Sequence, residues 1–159
     1  MEESLIPQET KEALNESLPE GITPPGSVDP FLLNGATLAY IGDAVYEIMV
    51  RQHMLATSSH QADRLHKHTT RMVNAKAQSD MIRALMTELT ETEIGIFKRG
   101  RNASTLTAAK NQSVTDYRRA TGLEALFGYL YLSGQHRRMK ELFAHGVALL
   151  TESSSNAGT

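Results

Sequence analysis

Apolar residues recur at three- and four-residue steps along most of the chain, which is the spacing of helices that bury one face. The first such stripe runs from about Asn34 to Leu55 and consists of Leu38, Ile41, Val45, Ile48 and Met49. The strict alternation of a half-buried strand is not sustained anywhere, and we find no internal repeat. The pattern therefore predicts an all-α fold, a single helical bundle.

Further helices follow from the same spacing. A short helix capped by Ser59 carries Ala62 and Leu65, and a third is predicted from about Thr70 to Leu85. Thr90 and Glu93 fit a capping box, which starts a fourth helix that ends near Arg99. The last two helices are predicted at about Val114–Leu132, ending near a C-capping Gly134, and over the amphipathic stretch from Met139 to Leu150.

The rest of the chain lacks helical periodicity. Residues 1–30 combine acids with all five prolines and are predicted to be a flexible acidic segment. Residues 31–151 would form the folded domain, and residues 152–159 a flexible tail. The polar stretch GRNASTLTAAKNQS is predicted to be a loop of the length usually kept for function.

Composition narrows the classes of protein. With 159 residues and 40% hydrophobic content, the chain suits one domain, and the absence of cysteine excludes disulfides and thiolate sites. No uninterrupted apolar stretch is long enough to span a membrane, and the acidic N-terminus lacks the features of a signal peptide. We therefore expect a cytoplasmic protein with no membrane partner.

The formal charge of −2 conceals an uneven distribution. Residues 1–30 hold seven acids and one base, whereas residues 64–119 hold eleven bases and five acids. The middle of the folded part can therefore face a polyanion such as a nucleic acid. A solvated helical surface explains the same charges.

Asp43 is the most informative residue, because it follows Gly42 in mid-helix, where both residue types are unfavourable. It lies off the apolar stripe, with Tyr40 and Glu47 beside it on the adjoining face. A carboxylate on a rigid helix next to a glycine suits a metal or phosphate site. Alternatively, Asp43 is simply solvated and Glu47 pairs with Arg51.

Glu124 repeats the pattern as a lone acid in the apolar run TGLEALFGYLYL, with Gly128 one turn later. On its own it could be a glutamate at the edge of the core. If the two helices converge, Asp43 and Glu124 could hold a divalent cation through oxygen ligands, as Mg²⁺ requires.

These two segments, LAYIGDAVYEIMVR and TGLEALFGYLYLSG, resemble the two acidic motifs of the ribonuclease III family. With RMVNAKAQ, FKRGRNAS and KNQSVTDYRRATGLEAL, the chain is most similar to the short Mini-ribonuclease III branch over about Leu33 to Leu142. The resemblance implies an all-helical endonuclease domain and a homodimer that cuts double-stranded RNA with Mg²⁺. It also implies maturation of the large-subunit (23S) ribosomal RNA precursor in the bacterial cytoplasm or a plastid, with a ribosomal protein as a further candidate partner.

Carried over residue by residue, the resemblance makes Asp43 and Glu124 the catalytic, metal-binding pair. Ala36, Ala39 and Thr121 stand where the larger enzymes of the family have acids, so water and RNA oxygens would complete the metal site. Glu47 and Thr121 are expected to support the pair. We expect no double-stranded-RNA-binding domain after the nuclease domain.

The same comparison leads to RNA contacts and a dimer contact. Two basic segments, at residues 98–102 and 110–119, are predicted to hold the RNA duplex. The candidate residues are Lys98, Arg99, Arg101, Asn102, Lys110, Asn111, Arg118 and Arg119. Tyr40 is a candidate for the dimer interface. Alternatively, Lys98 and Arg99 merely complement the negative end of their helix, and Arg118 and Arg119 merely solvate theirs. The protein could also be a catalytically weak or inactive double-stranded-RNA-binding dimer with the same fold. A helical interaction domain without a nucleic-acid role is the third possibility.

Overall fold

The computed structural model describes residues 29–58, 60–103 and 113–158. These residues form six α-helices and two short 3₁₀ turns, with no strand among them, so the predicted all-α bundle is confirmed. The helices are α1 (Gly35–Thr57), α2 (Ala62–Val73), α3 (Ala75–Leu85), α4 (Glu91–Ala103), α5 (Val114–Leu132) and α6 (His136–Asn156). The 3₁₀ turns are Pro30–Leu32 and Met86–Glu88.

Several predictions lie outside the described residues. They are the acidic segment up to residue 28, the Ser59 cap, and Lys110 and Asn111 in the predicted loop. Pro30, which the sequence assigned to the flexible segment, is buried in the first 3₁₀ turn. None of the helices that the structure describes is both long and apolar enough to cross a membrane.

The predicted caps of two helices are confirmed. Thr90 and Glu93 form a reciprocal capping box, with N–H to side-chain oxygen distances of 3.0 and 3.2 Å. Arg138 of α6 donates to both carboxylate oxygens of Glu93, at 2.8 and 3.0 Å, and so ties the start of α4 to the last helix. At the end of α5, Gly134 has the positive φ of 73° that a glycine C-cap requires.

Three predicted boundaries are wrong. The second and third helices meet at Asn74, whose side chain accepts from the N–H of Ala77 at 2.8 Å and so starts α3. Helix α4 continues to Ala103, because Gly100 packs against α5 instead of ending the helix. Helix α6 continues to Asn156, so the domain boundary predicted at residue 151 lies inside a helix.

Helix α5 is the centre of the bundle and packs against α1, α3, α4 and α6. Its buried residues cover several faces, which is expected of a helix surrounded by others. The main core includes Tyr46, whose ring packs edge-on against Phe127 with centroids 5.4 Å apart. Helix α1, which carries Asp43, and helix α5, which carries Glu124, therefore share one core.

Two glycines allow α1 and α5 to touch backbone to backbone. A Cβ at Gly42 would collide with the carbonyl group of Glu124, and one at Gly128 would collide with the carbonyl oxygen of Leu38. The glycines therefore lie on opposite sides of a single crossing point. This contact fixes the position of the α5 backbone at Glu124 relative to α1.

We predict that Gly42→Ala lowers the free energy of unfolding by about 3 kcal/mol or more, because the added methyl group must push two helix backbones apart. The control is Gly95→Ala on α4, where a Cβ meets nothing within 4 Å. That variant should gain up to about 1 kcal/mol from helix propensity. Urea unfolding of both variants gives the answer, and equal stabilities would contradict the crossing as described.

Candidate active site

Asp43 and Glu124 line the same cavity, which has a volume of about 510 Å³. Asp43 is exposed on α1, and Glu124 is half-buried on α5. The predicted convergence of the two carboxylates is therefore present in the fold. The cavity is completed by Ala36, Ala39, Tyr40, Ile41, Ala44, Ala103, Tyr117 and Thr121.

Burial and mutual repulsion make these two carboxyl groups reluctant to ionise. Burial raises the pKa of Glu124 to about 8, and the negative charge of Asp43 adds to this rise, while a hydrogen bond from Gln78 opposes it. The pKa of Asp43 is raised by partial burial and by the charge of Glu47. Two carboxylates that lose solvation and repel each other favour a bound cation.

Glu47 is engaged with Arg51, as the simpler interpretation of the sequence predicts. The Nη2 atom of Arg51 lies 2.6 Å from Oε1 of Glu47, one helical turn away, and both side chains are partly exposed. Among the residues that the structure describes, no group of three acids or histidines is placed to hold a metal ion. The supporting role of Glu47 stays a prediction.

Small and neutral side chains surround the acid pair. Ala36 and Ala39 line the cavity on α1, and Thr121 lines it one turn before Glu124. The hydroxyl of Thr121 donates to the carbonyl oxygen of Tyr117 at 3.1 Å, which leaves its oxygen lone pairs available as acceptors. The cavity therefore has room for water or phosphate oxygens beside the two carboxylates.

Three site residues were missed from the sequence. Tyr117 lines the cavity and precedes Glu124 by two helical turns, so helical spacing from the acid could have found it. Gln78 and Tyr46 are buried residues: Gln78 lowers the pKa of Glu124, and the charge of Glu124 raises the pKa of Tyr46. Nothing in the spacing of these two distinguishes them from ordinary core positions.

The predicted RNA-contact residues that the structure describes lie on helices and not in a loop. Lys98, Arg101 and Asn102 are on α4, and Arg118 and Arg119 are near the start of α5. The two helices reach the cavity through Ala103 and Tyr117, and none of these basic residues belongs to its described lining. The guanidinium of Arg101 lies 5.7 Å from the centre of the Phe97 ring.

The side chain of Arg99 contacts the N-terminal 3₁₀ turn and the residue after it. Its guanidinium donates to the carbonyl oxygens of Phe31 and Leu33 and lies 4.8 Å from the centre of the Phe31 ring. It therefore holds the N-terminal 3₁₀ turn against α4. This placement favours a structural role over the predicted RNA contact.

Residues 36–135 match the ribonuclease III domain, which covers more than half of the chain. The chain belongs to the ribonuclease III family and is an endoribonuclease. The family resemblance inferred from the motifs is thus confirmed, and the family acts on double-stranded RNA.

Within the family, the chain is similar to proteins named mini-ribonuclease 3. It is 46% identical to the mini-ribonuclease 3 of Clostridium tetani over 79% of this chain and 84% of that protein. It is 45% identical to that of Brevibacillus brevis over 77% of this chain and 91% of that protein. A crystal structure of a Fusobacterium nucleatum protein matches with a TM-score of 0.68 and 30% identity over 79% of this chain and 99% of that one.

The raised pKa of Glu124 makes the stability of the metal-free protein depend on pH. Between the unfolded-state pKa of 4.5 and the folded-state pKa of about 8, the folded protein binds more protons than the unfolded chain. Its stability therefore falls as the pH rises through this window. We predict that Glu124→Gln removes most of this fall and melts roughly 3 to 10 °C above the unsubstituted protein at pH 8.5.

Thermal unfolding with a chelator, followed by circular dichroism from pH 4.5 to 8.5, measures the effect. The control is Glu141→Gln, since Glu141 is an exposed acid on α6. Melting curves of Glu124→Gln and the unsubstituted protein that stay parallel across the window would contradict the burial of this charge.

Proposed function

We propose that this protein is a Mg²⁺-dependent endoribonuclease that cleaves double-stranded RNA, with Asp43 and Glu124 as its metal-binding catalytic pair. The observation that carries the proposal is the shared cavity of these two acids, which come from helices 81 residues apart in the sequence. Their cost of ionisation is an argument for a cation, because none of the described residues that line the cavity carries a positive charge.

The donor set fits Mg²⁺. This ion prefers oxygen ligands, retains several waters, and is often held by only one or two carboxylates together with substrate phosphates. Asp43 and Glu124 supply two carboxylates, and the alanines and Thr121 leave space for the waters and phosphate oxygens.

When bound, Mg²⁺ would lower the pKa of a water molecule and neutralise charge on the scissile phosphate. The residues of the chain have simpler tasks. Asp43 and Glu124 release their protons and hold the ion between α1 and α5, while Thr121 offers a neutral acceptor. Water is the nucleophile, so no covalent intermediate with the protein is needed.

The basic residues of α4 and α5 suit an RNA duplex. A-form RNA is recognised mainly by its shape, phosphates and 2′-hydroxyls, and no particular base sequence is needed for such contacts. Lys98, Arg101, Asn102, Arg118 and Arg119, on the two helices that reach the cavity, would contact the phosphates of the duplex. Lys110 and Asn111 complete the proposed set.

A homodimer explains the exposed apolar side chains of α1. Tyr40 is 83% exposed, and Ile48 and Leu55 are 59% and 54% exposed on the same helix. Tyr40 is also part of the cavity lining, so its burial in a twofold interface would place the two sites near each other. Two sites that face opposite strands would produce a staggered double cut.

The biological substrate we propose is the large-subunit ribosomal RNA precursor, in the cytoplasm. Support comes from the similarity to short bacterial mini-ribonucleases and from the absence of cysteine. A ribosomal protein that presents the RNA is a candidate partner.

We predict that Asp43→Asn reduces cleavage of a plain RNA duplex to background, because an amide cannot supply the negative charge that holds the ion. Duplex binding without Mg²⁺ and the oligomeric state should not change. The assay compares product formation with and without Mg²⁺, with Glu141→Gln as the control that keeps full activity. Cleavage by Asp43→Asn at the control rate would refute the assignment.

The same assay separates the rival function. An unsubstituted protein that binds the duplex but never cuts it, at any Mg²⁺ concentration, would be the inactive RNA-binding dimer. One that neither cuts the duplex nor binds it in a salt-dependent way would have no nucleic-acid role.

Arg118 and Arg99 should differ in their effects. We predict that Arg118→Ala weakens duplex binding and lowers the slope of log affinity against log salt by about 1, as the loss of one phosphate contact does. Arg99→Ala should leave this slope unchanged and lower the melting temperature, because it loses its contacts to Phe31 and Leu33. If Arg99→Ala lowers the salt slope and Arg118→Ala does not, Arg99 contacts the RNA and the assignment made here is wrong.

A further inference from the structure

A tyrosine side chain forms part of the wall of the cavity that the two acids share. Tyr117 lies near the start of α5 and belongs to the described lining, together with Thr121 and Glu124 of the same helix. These three residues follow one another at steps of four and three, so they lie along one face of the helix. The cavity therefore extends along α5 from Glu124 to Tyr117.

The hydroxyl of Tyr117 is available to a ligand. The side chain is half-buried, and its hydroxyl makes no hydrogen bond to any residue that the structure describes. Thr121 donates to the backbone carbonyl oxygen of Tyr117 at 3.1 Å and not to the phenol. A phenol hydroxyl can both donate and accept a hydrogen bond, so a hydroxyl group of a substrate would suit it as a partner.

The cavity wall around the two acids is neutral. Apart from Asp43 and Glu124, the described residues of the lining are alanines, an isoleucine, Thr121 and two tyrosines. Arg118 follows Tyr117 directly in the sequence but does not belong to the lining. A phosphate held against the phenol would therefore have no cation from the described lining, whereas a ribose is neutral and carries hydroxyl groups.

The position of Tyr117 along α5 fits a nucleotide close to the scissile phosphate. Tyr117 precedes Glu124 by seven residues, which is about 10 Å along the helix axis. Each strand of a duplex presents one phosphate about every 3.4 Å along its axis. A strand whose scissile phosphate lies at the acid pair can therefore place a sugar within about three nucleotides of the cut beside the phenol.

We propose that Tyr117 binds and positions the substrate, with its hydroxyl hydrogen-bonded to the 2′-hydroxyl of a ribose in the strand that is cut. The proposal rests on the proposed function of Asp43 and Glu124. The 2′-hydroxyl both donates and accepts, and it is the group that lets a protein distinguish RNA from DNA. Tyr117 thus contributes to the choice of RNA as the substrate without adding a charge beside the acid pair.

The test combines Tyr117→Phe, which removes only the hydroxyl, with short RNA duplexes that carry a single 2′-deoxy nucleotide at successive positions. Duplex affinity is measured in a chelator, and kcat/KM is measured with Mg²⁺. For the unsubstituted protein, one deoxy position should lower both quantities roughly 3- to 10-fold, as the loss of one neutral hydrogen bond does. Tyr117→Phe should show this loss on the all-RNA duplex and no further loss at that deoxy position.

Tyr131→Phe is the matched control. Tyr131 is also a half-buried tyrosine of α5, but its ring packs edge-on against His136, with centroids 5.5 Å apart, and it does not belong to the cavity lining. Removal of its hydroxyl should leave affinity and kcat/KM unchanged on every duplex. The Mg²⁺ concentration for half-maximal cleavage should be the same in both variants and the unsubstituted protein, because neither substitution alters the acid pair.

Additive losses for Tyr117→Phe and every 2′-deoxy position would overturn the proposal, and so would coupling of equal size in Tyr131→Phe. Coupling to a single methylphosphonate and to no deoxy position would assign the phenol to a phosphate, which also overturns the ribose contact. An unsubstituted protein that binds the duplex but never cuts it with Mg²⁺ would refute the proposed function. The affinity measurements in the chelator would still decide the ribose contact in that case.

Discussion

The close crossing of α1 and α5 is the constraint on which the site depends. Gly42 and Gly128 remove two side chains from the crossing, so that each helix meets the other's backbone carbonyl groups. The acids are neighbours of these contacts, since Asp43 follows Gly42 and the Glu124 carbonyl is what Gly42 touches. Packing and chemistry are therefore inseparable here, because any residue that widens the crossing also moves the carboxylates apart.

Holding two acids together in one cavity costs free energy. Burial makes the charge of Glu124 unfavourable, and the metal-free protein meets this by keeping the carboxyl protonated well above its usual range. Binding of a cation must therefore be accompanied by proton release. Gln78 offsets part of the cost without adding charge of its own. The neutral Ala36, Ala39 and Thr121 add no further negative charge to the cavity lining.

Local signals in the sequence were sufficient for part of this architecture. The Thr90–Glu93 capping box and the Gly134 cap depend on residues within a few positions of each other, so they could be identified without knowing the fold. Gly100 could not, because its role is set by contact with α5 and it looks like a loop residue in a polar stretch. Asn74 differs, because its cap on the N–H of Ala77 is a local signal. The apolar spacing across Val73 and Ala77 predicted one continuous helix instead.

Some residues of the site could likewise be found from the sequence, and others could not. Asp43 and Glu124 stood out as lone acids beside glycines in apolar runs, and the motif resemblance paired them. Gln78 and Tyr46 are recognisable only once α3, α1 and α5 are packed together. The direction of Arg99 likewise depends on the N-terminal turn, a contact 68 residues away in the sequence.

The ion pair between Arg138 and Glu93 connects more than the first turn of α4 to the last helix. Helix α4 is anchored to α6 at its first turn, and at its last residue, Ala103, it forms part of the cavity wall. A thirteen-residue helix of this kind is a stiff rod about 20 Å long. The C-terminal helix thus contacts the first turn of a helix whose last residue forms part of the cavity wall, although no residue of α6 belongs to the described lining.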